Sequence, residues 1–110
     1  MEIAIRNVIG FLRTACEKLE EELYAVAIEN AFFASELAVK LLCEYAFENR
    51  LISKLPESHR GRQNVLTVLY NKGLIPHEVV SAYSEILELR EKGVYALRNG
   101  DLARNFPICS

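Results

Sequence analysis

The chain alternates long stretches of helical apolar spacing with a few short breaks. Ile5, Val8, Ile9 and Leu12 recur at the spacing of one helix face, which predicts a first helix from about Glu2 to Lys18. The run Glu20-Glu21-Glu22 suits the first turn of a second helix, where carboxylates meet the positive end of the dipole. That helix is predicted to run from about Glu20 to Asn49. At about 100° per residue, Leu23, Val26, Ala27, Phe33, Ala34, Leu37, Ala38, Leu41 and Tyr45 share one side. Glu22, Glu29, Glu36 and Lys40 gather on another, with Glu36 and Lys40 at favourable i,i+4 spacing. Asn30 falls inside the apolar arc, and Phe32 and Phe47 near the charged side point to a further burial surface.

Pro56 closes this region, because proline restricts the residue before it. Ser58 is placed to cap a third helix over His59 to Asn71, with Val65, Leu66, Val68 and Leu69 inward. Gly73 ends it, and Pro76 suits the first turn of a fourth helix reaching Leu97. Gly100 closes that helix. No segment alternates with period two for long enough to make a strand. The pattern predicts an all-α fold, an antiparallel bundle of four to five helices, as a single domain over residues 1–103. Residues 104–110 read as a loose tail.

Polar residues on apolar faces are the candidates for chemistry. In the fourth helix Val79, Ala82, Tyr83, Ile86, Leu87, Leu89, Val94 and Leu97 occupy half the circle, and Arg90 lies near its centre. A guanidinium buried without partners costs several kcal/mol, so something must answer it. A carboxylate of the fold, helix-end carbonyls, an escape to the edge, a partner subunit or an anionic ligand would each do so. Asn30 poses the same question as either a satisfied core amide or a ligand contact. His59 stands beside Arg60 and Arg62 at the start of the third helix, either as a solvated patch or as a titratable group near a phosphate path. No Gly-rich nucleotide cradle and no nucleophile motif occurs.

Composition narrows this picture only slightly. The chain has 110 residues, 51% of them hydrophobic and 25% charged, so one core and one domain are expected. Net charge is −2, which excludes a generic polyanion binder. Residues 1–49 carry a net −5 and residues 50–110 a net +3, so the second half could meet phosphate. No apolar run has the length of a membrane span, and the first ten residues read as helix, not as a signal peptide. Cys16, Cys43 and Cys109 lie far apart and make no zinc pattern with His59 and His77. The expectation is a reduced, cytoplasmic protein without metal or cofactor, with two packing thiols and one tail thiol.

Three segments together resemble the HEPN family (higher eukaryotes and prokaryotes nucleotide-binding domains). They are A-I-E-N-A-F-F-A-S-E-L-A-V-K-L-L from Ala27 to Leu42, S-H-R-G from Ser58 to Gly61, and G-L-I-P-H-E from Gly73 to Glu78 followed by L-E-L-R-E-K-G-V-Y from Leu87 to Tyr95. The resemblance spans about Leu12 to Leu97. It implies a helical bundle that dimerises. Family members are metal-independent ribonucleases, often toxins of toxin–antitoxin pairs, or partners of a minimal nucleotidyltransferase. Their motif is an Arg followed a few residues later by His. By this likeness Arg90 takes the motif arginine, and Tyr95 stands where the His would be, so the motif is degenerate. The expected function is a homodimeric module that binds a nucleotide or RNA phosphate, or a nucleotidyltransferase partner. Arg90, Asn30, Arg60 and Arg62 are the candidate phosphate contacts. The alternatives are a ribonuclease using Arg90 with Tyr95 or His59, and a purely structural helical interaction protein.

Overall fold

In a computed structural model, residues 2–92 are described here. They form four helices: α1 (Glu2–Glu20), α2 (Tyr24–Glu48), α3 (His59–Asn71) and α4 (His77–Lys92). There is no strand among the described residues, so the all-α bundle expected from the pattern is what forms. One core joins all four helices, through Ala15 of α1, Ile28, Ala31 and Val39 of α2, Leu66 and Leu69 of α3, and Tyr83 and Ile86 of α4. No described helix is long and apolar enough to cross a membrane.

Helix ends explain the boundaries. The backbone N–H of Leu23 bonds the carbonyl of Lys18, and that of Glu22 the carbonyl of Leu19. Glu22 is left-handed, with φ 62°. This is a Schellman ending. It recurs at α2, where Arg50 has φ 58°, and at α3, where Gly73 has φ 74°. Only the last uses glycine, the residue that takes this conformation without a Cβ penalty. The expectation that Glu20 opens the second helix is therefore corrected. Glu20 ends α1, Glu22 forms the turn, and α2 starts at Tyr24. No sequence signal marked that break.

The α3 start agrees with expectation. Ser58 caps it, its side-chain oxygen accepting from the Gly61 N–H at 3.0 Å. A Cβ on Gly61 would stand 3.0 Å from Pro56 Cβ and 3.2 Å from Ser58 Oγ. Glycine thus lets the first turn of α3 close onto Pro56. Residues 49–58 carry the chain back along α2, so that α3 begins beside the middle of α2. Phe32 meets His59 and Glu36 meets Arg62, so α2 and α3 run in the same sense, unlike the antiparallel order expected, because residues 49–58 return the chain along α2. Glu36 meets Tyr83 and Glu29 meets Arg90, so α4 runs against α2.

The buried side of α2 differs from the one expected. Ala27, Ile28, Ala31, Phe32, Ala34, Glu36, Val39, Cys43 and Ala46 are buried, while Leu23, Val26, Phe33 and Tyr45 are exposed. Because α2 is apolar almost all round, its sequence does not single out one inward face. Phe32 does join the core, as its odd position suggested, but Phe47 stays exposed. In α1 only Ala15 is buried, and Ile5 and Ile9 remain exposed. Cys43 is a free buried thiol, pushed up in pKa chiefly by its burial. Cys16 is disulfide-bonded, against the expectation of a reduced packing thiol. Cys109, Tyr95 and the tail lie outside the described residues.

Candidate functional site

The seam between α2, α3 and α4 holds two layers of charge. The inner layer is buried. Glu36 and Arg62 are each only 8% exposed. Arg62 Nη2 lies 2.9 Å from Glu36 Oε2, and its Nε donates to the Tyr83 hydroxyl at 3.2 Å. That hydroxyl in turn donates to Glu36 Oε1. The three side chains close a ring, and no buried side-chain polar atom among the described residues lacks a partner. A buried ion pair is tolerable when its remaining donors and acceptors are satisfied in this way.

The ring sets the local acidities. Burial, together with the bond that Tyr83 donates to Glu36, pushes the phenol up to about 12. Burial works against the charge on Arg62, but the Tyr83 bond and the Glu36 carboxylate outweigh it and hold the guanidinium above its ordinary value. Arg62 was expected to face a ligand beside Arg60. It faces the core instead, because Glu36 and Tyr83 occupy its donors.

The outer layer is open to solvent. Arg90 Nε lies 3.2 Å from Glu29 Oε1, with 43% and 45% of the two side chains exposed. The Arg90 guanidinium also sits 4.0 Å above the centre of the Phe32 ring, a cation–π contact. His59 approaches the same ring edge-on, with centroids 5.7 Å apart. Its Nε2 is 3.4 Å from Glu36 Oε1. Phe32 thus separates the two layers, and His59 reaches from the open one toward the buried one.

Arg90 is therefore not buried, although ideal helix angles align it with Tyr83. Seven residues separate Tyr83 from Arg90, as they do Glu36 from Glu29. Arg90 continues the same stripe, but in the last turn of α4, where it is exposed. Of the answers the sequence left open, the described residues supply a carboxylate of the fold, Glu29, at a solvent-exposed edge.

These groups line a cleft of about 710 Å³. Phe32 and Leu87 form its apolar part, and His59, Arg60 and Arg90 bring basic groups into it. Gln63 and Ser84 are bonded to each other across it at 3.2 Å. Glu29, Glu88 and Glu91 add carboxylates. The volume suits a small-molecule site. Of the residues singled out in the sequence, the fold brings together Arg90, Arg60 and His59. It does not bring in Arg62 or Asn30. The Asn30 amide donates to the Val26 carbonyl of its own helix at 2.8 Å and does not line the cleft. Sequence reasoning missed Glu29, Phe32, Gln63 and Ser84 as site residues. Only the placement of Phe32 beside the charged side of α2 hinted at one of them.

Among the described residues no group of three or more metal-binding side chains forms. No protein-family model matches the chain, and neither a curated protein nor a solved structure does.

Proposed function

We propose that this chain is a HEPN-like module with a degenerate motif, and that it binds the phosphate of a nucleotide or of RNA in the cleft between α2, α3 and α4. One observation carries the reading. Arg60 from α3 and Arg90 from α4, remote in sequence, line one cleft together with His59 and an aromatic ring. Guanidinium groups suit this task because they offer rigid forked donors that match phosphate oxygens. Glu29 engages Arg90 through Nε alone, so the rest of the fork is available.

Titration calorimetry with a mononucleotide and with a short RNA tests this. Arg60→Ala and Arg90→Ala are each expected to weaken binding at least tenfold while leaving the melting temperature within a few degrees. Retained affinity in both variants would remove the cleft as the site. The same reading expects a homodimer, with a minimal nucleotidyltransferase as the alternative partner to a nucleotide or RNA. The exposed Ile3, Ile5, Ile9, Val26 and Phe33 on α1 and α2 support an interface there. Light scattering behind a sizing column checks the dimer.

A second reading is favoured by the position of His59. It lies against the same ring as Arg90, so an imidazole would stand beside a phosphate held by that arginine. On this reading the chain is a metal-independent ribonuclease in which His59 replaces the missing motif histidine. Incubation of purified protein with RNA in the presence of chelator decides it. Cleavage lost in His59→Ala supports the ribonuclease, and intact RNA supports the binding module.

A further inference from the structure

The charges of the cleft are largely spoken for before any ligand arrives. Arg90 is paired with Glu29. Glu88 is held by Lys92, which is not part of the lining. His59 lies against Glu36. Among the described residues this leaves Arg60 as the lining guanidinium, and Glu91 as the lining carboxylate, with no ion pair. Beside them stand a neutral amide and a neutral hydroxyl, Gln63 and Ser84.

We propose that the cleft selects a nucleotide carrying a single phosphate, a nucleoside monophosphate, over polyphosphates and polynucleotides, with Glu91 and Glu29 as the residues that set the preference. The inference rests on the phosphate-binding reading above. Arg60 and the free part of the Arg90 fork can receive one phosphate, whose charge is about −1.5 to −2. The outer face of the Arg90 guanidinium can take the base, since bases stack on guanidinium planes as they do on aromatic rings. The space would admit further phosphates, so size does not exclude them. Charge does. A second and third phosphate must lie near Glu29, Glu88 or Glu91, and among the described residues no further unpaired cation lines the cleft. A polynucleotide meets the same acidic groups along its backbone. Like charges brought together across an interface suppress the wrong partner more than they change the affinity of the right one.

Calorimetry on the full chain at low salt, without divalent cations, tests this with AMP, ATP, ribose 5-phosphate, inorganic phosphate and a short single-stranded RNA. AMP is expected to bind at least tenfold tighter than ATP and than the RNA per site, and tighter than ribose 5-phosphate or phosphate. Glu91→Gln and Glu29→Gln, both on exposed parts of the cleft, are expected to tighten ATP at least threefold and AMP by less than twofold. If ATP or RNA binds as tightly as AMP, or if the two variants leave the ratio unchanged, the inference is overturned. The phosphate-binding reading then still stands, provided that Arg60→Ala abolishes what binding there is. If no phosphate compound binds at all, both fall together.

Discussion

The buried ring of Glu36, Arg62 and Tyr83 should dominate the stability of the bundle, and it should do so in a non-additive way. Consider Arg62→Met, which keeps most of the stem volume and removes the guanidinium. Glu36, 8% exposed, then keeps the Tyr83 hydroxyl and, at 3.4 Å, His59 Nε2, but loses the guanidinium that answered its charge. Breaking a buried pair from one side costs about 3–5 kcal/mol. Domains of this size have roughly 5–15 kcal/mol in total, so the loss takes a large share of the stability. Tyr83→Phe removes two hydrogen bonds to charged groups, one to Glu36 and one from Arg62, each worth about 1.5–3 kcal/mol. The triple variant Glu36→Leu, Arg62→Met, Tyr83→Phe removes every member of the ring together. Its apolar replacements no longer desolvate ions, so it should recover to within about 2 kcal/mol of the parent. Urea unfolding followed by circular dichroism at neutral pH measures all four proteins. With a slope of about 1–3 kcal/mol per molar urea, Arg62→Met should lower the midpoint by more than a molar unit. The reasoning is refuted if Arg62→Met costs under about 1 kcal/mol, or if the triple variant is as unstable as the single one.

Three smaller expectations follow from the same structure. The Tyr83 phenol is raised to about 12 in the folded chain from an ordinary 10. The neutral form is thus favoured by folding, and its contribution is complete below pH 10 and lost as the pH rises to 12. The loss amounts to about 3 kcal/mol, and it should vanish in Tyr83→Phe when stability is followed through alkaline pH. Glu22→Gly should raise the melting temperature, because glycine relieves a left-handed residue of about 1 kcal/mol; an unchanged or lower value argues against the Schellman ending of α1. Gly61→Ala should destabilise by about 1–2 kcal/mol, since its methyl would press on Pro56 and Ser58 and disturb a cap itself worth about 1 kcal/mol. A Ser58→Ala background should shrink that cost.

Where the sequence carried explicit punctuation, it was legible. Ser58 and Gly73 bound α3 as expected, because a hydroxyl that accepts from the third N–H and a residue without Cβ leave a chemical mark. Glu22 and Arg50 take the same left-handed turn without such a mark, so the break between α1 and α2 was invisible. The inward side of α2 was illegible for a different reason. With apolar residues almost all round, the helix can bury several faces, and the partners decide. Glu36 looked like part of a solvated side because its answering groups, Arg62 and Tyr83, are 26 and 47 residues away. Arg90 showed the reverse. Its helical phase is the phase of Tyr83, yet burial depends also on depth along the axis, which periodicity does not encode. What the sequence did supply for the site was a short list of basic residues. Sorting Arg60 and Arg90 from Arg62 required knowing which of them had a carboxylate buried opposite.

That sorting has a physical consequence for how the chain can serve a ligand without losing its fold. The α2–α4 seam repeats one arrangement, carboxylate against basic or phenolic partner, seven residues apart along each helix. In the inner copy the groups are desolvated, so exchanging Glu36 for a ligand oxygen would strand a buried charge at a cost of about 3–5 kcal/mol. In the outer copy both side chains are more than two-fifths exposed. Such pairs contribute about 0–1 kcal/mol, so Arg90 can turn from Glu29 to a phosphate with almost no loss to the bundle. Phe32 lies between the copies and gives Arg90 a face to rest on in either state. Binding and stability are therefore separable at Arg60 and Arg90, but not at Phe32, which belongs to the core, nor at His59. His59 touches the Phe32 ring on the cleft side and stands 3.4 Å from Glu36. A substitution there is felt in both layers, whereas Arg90→Ala is felt in the outer one alone.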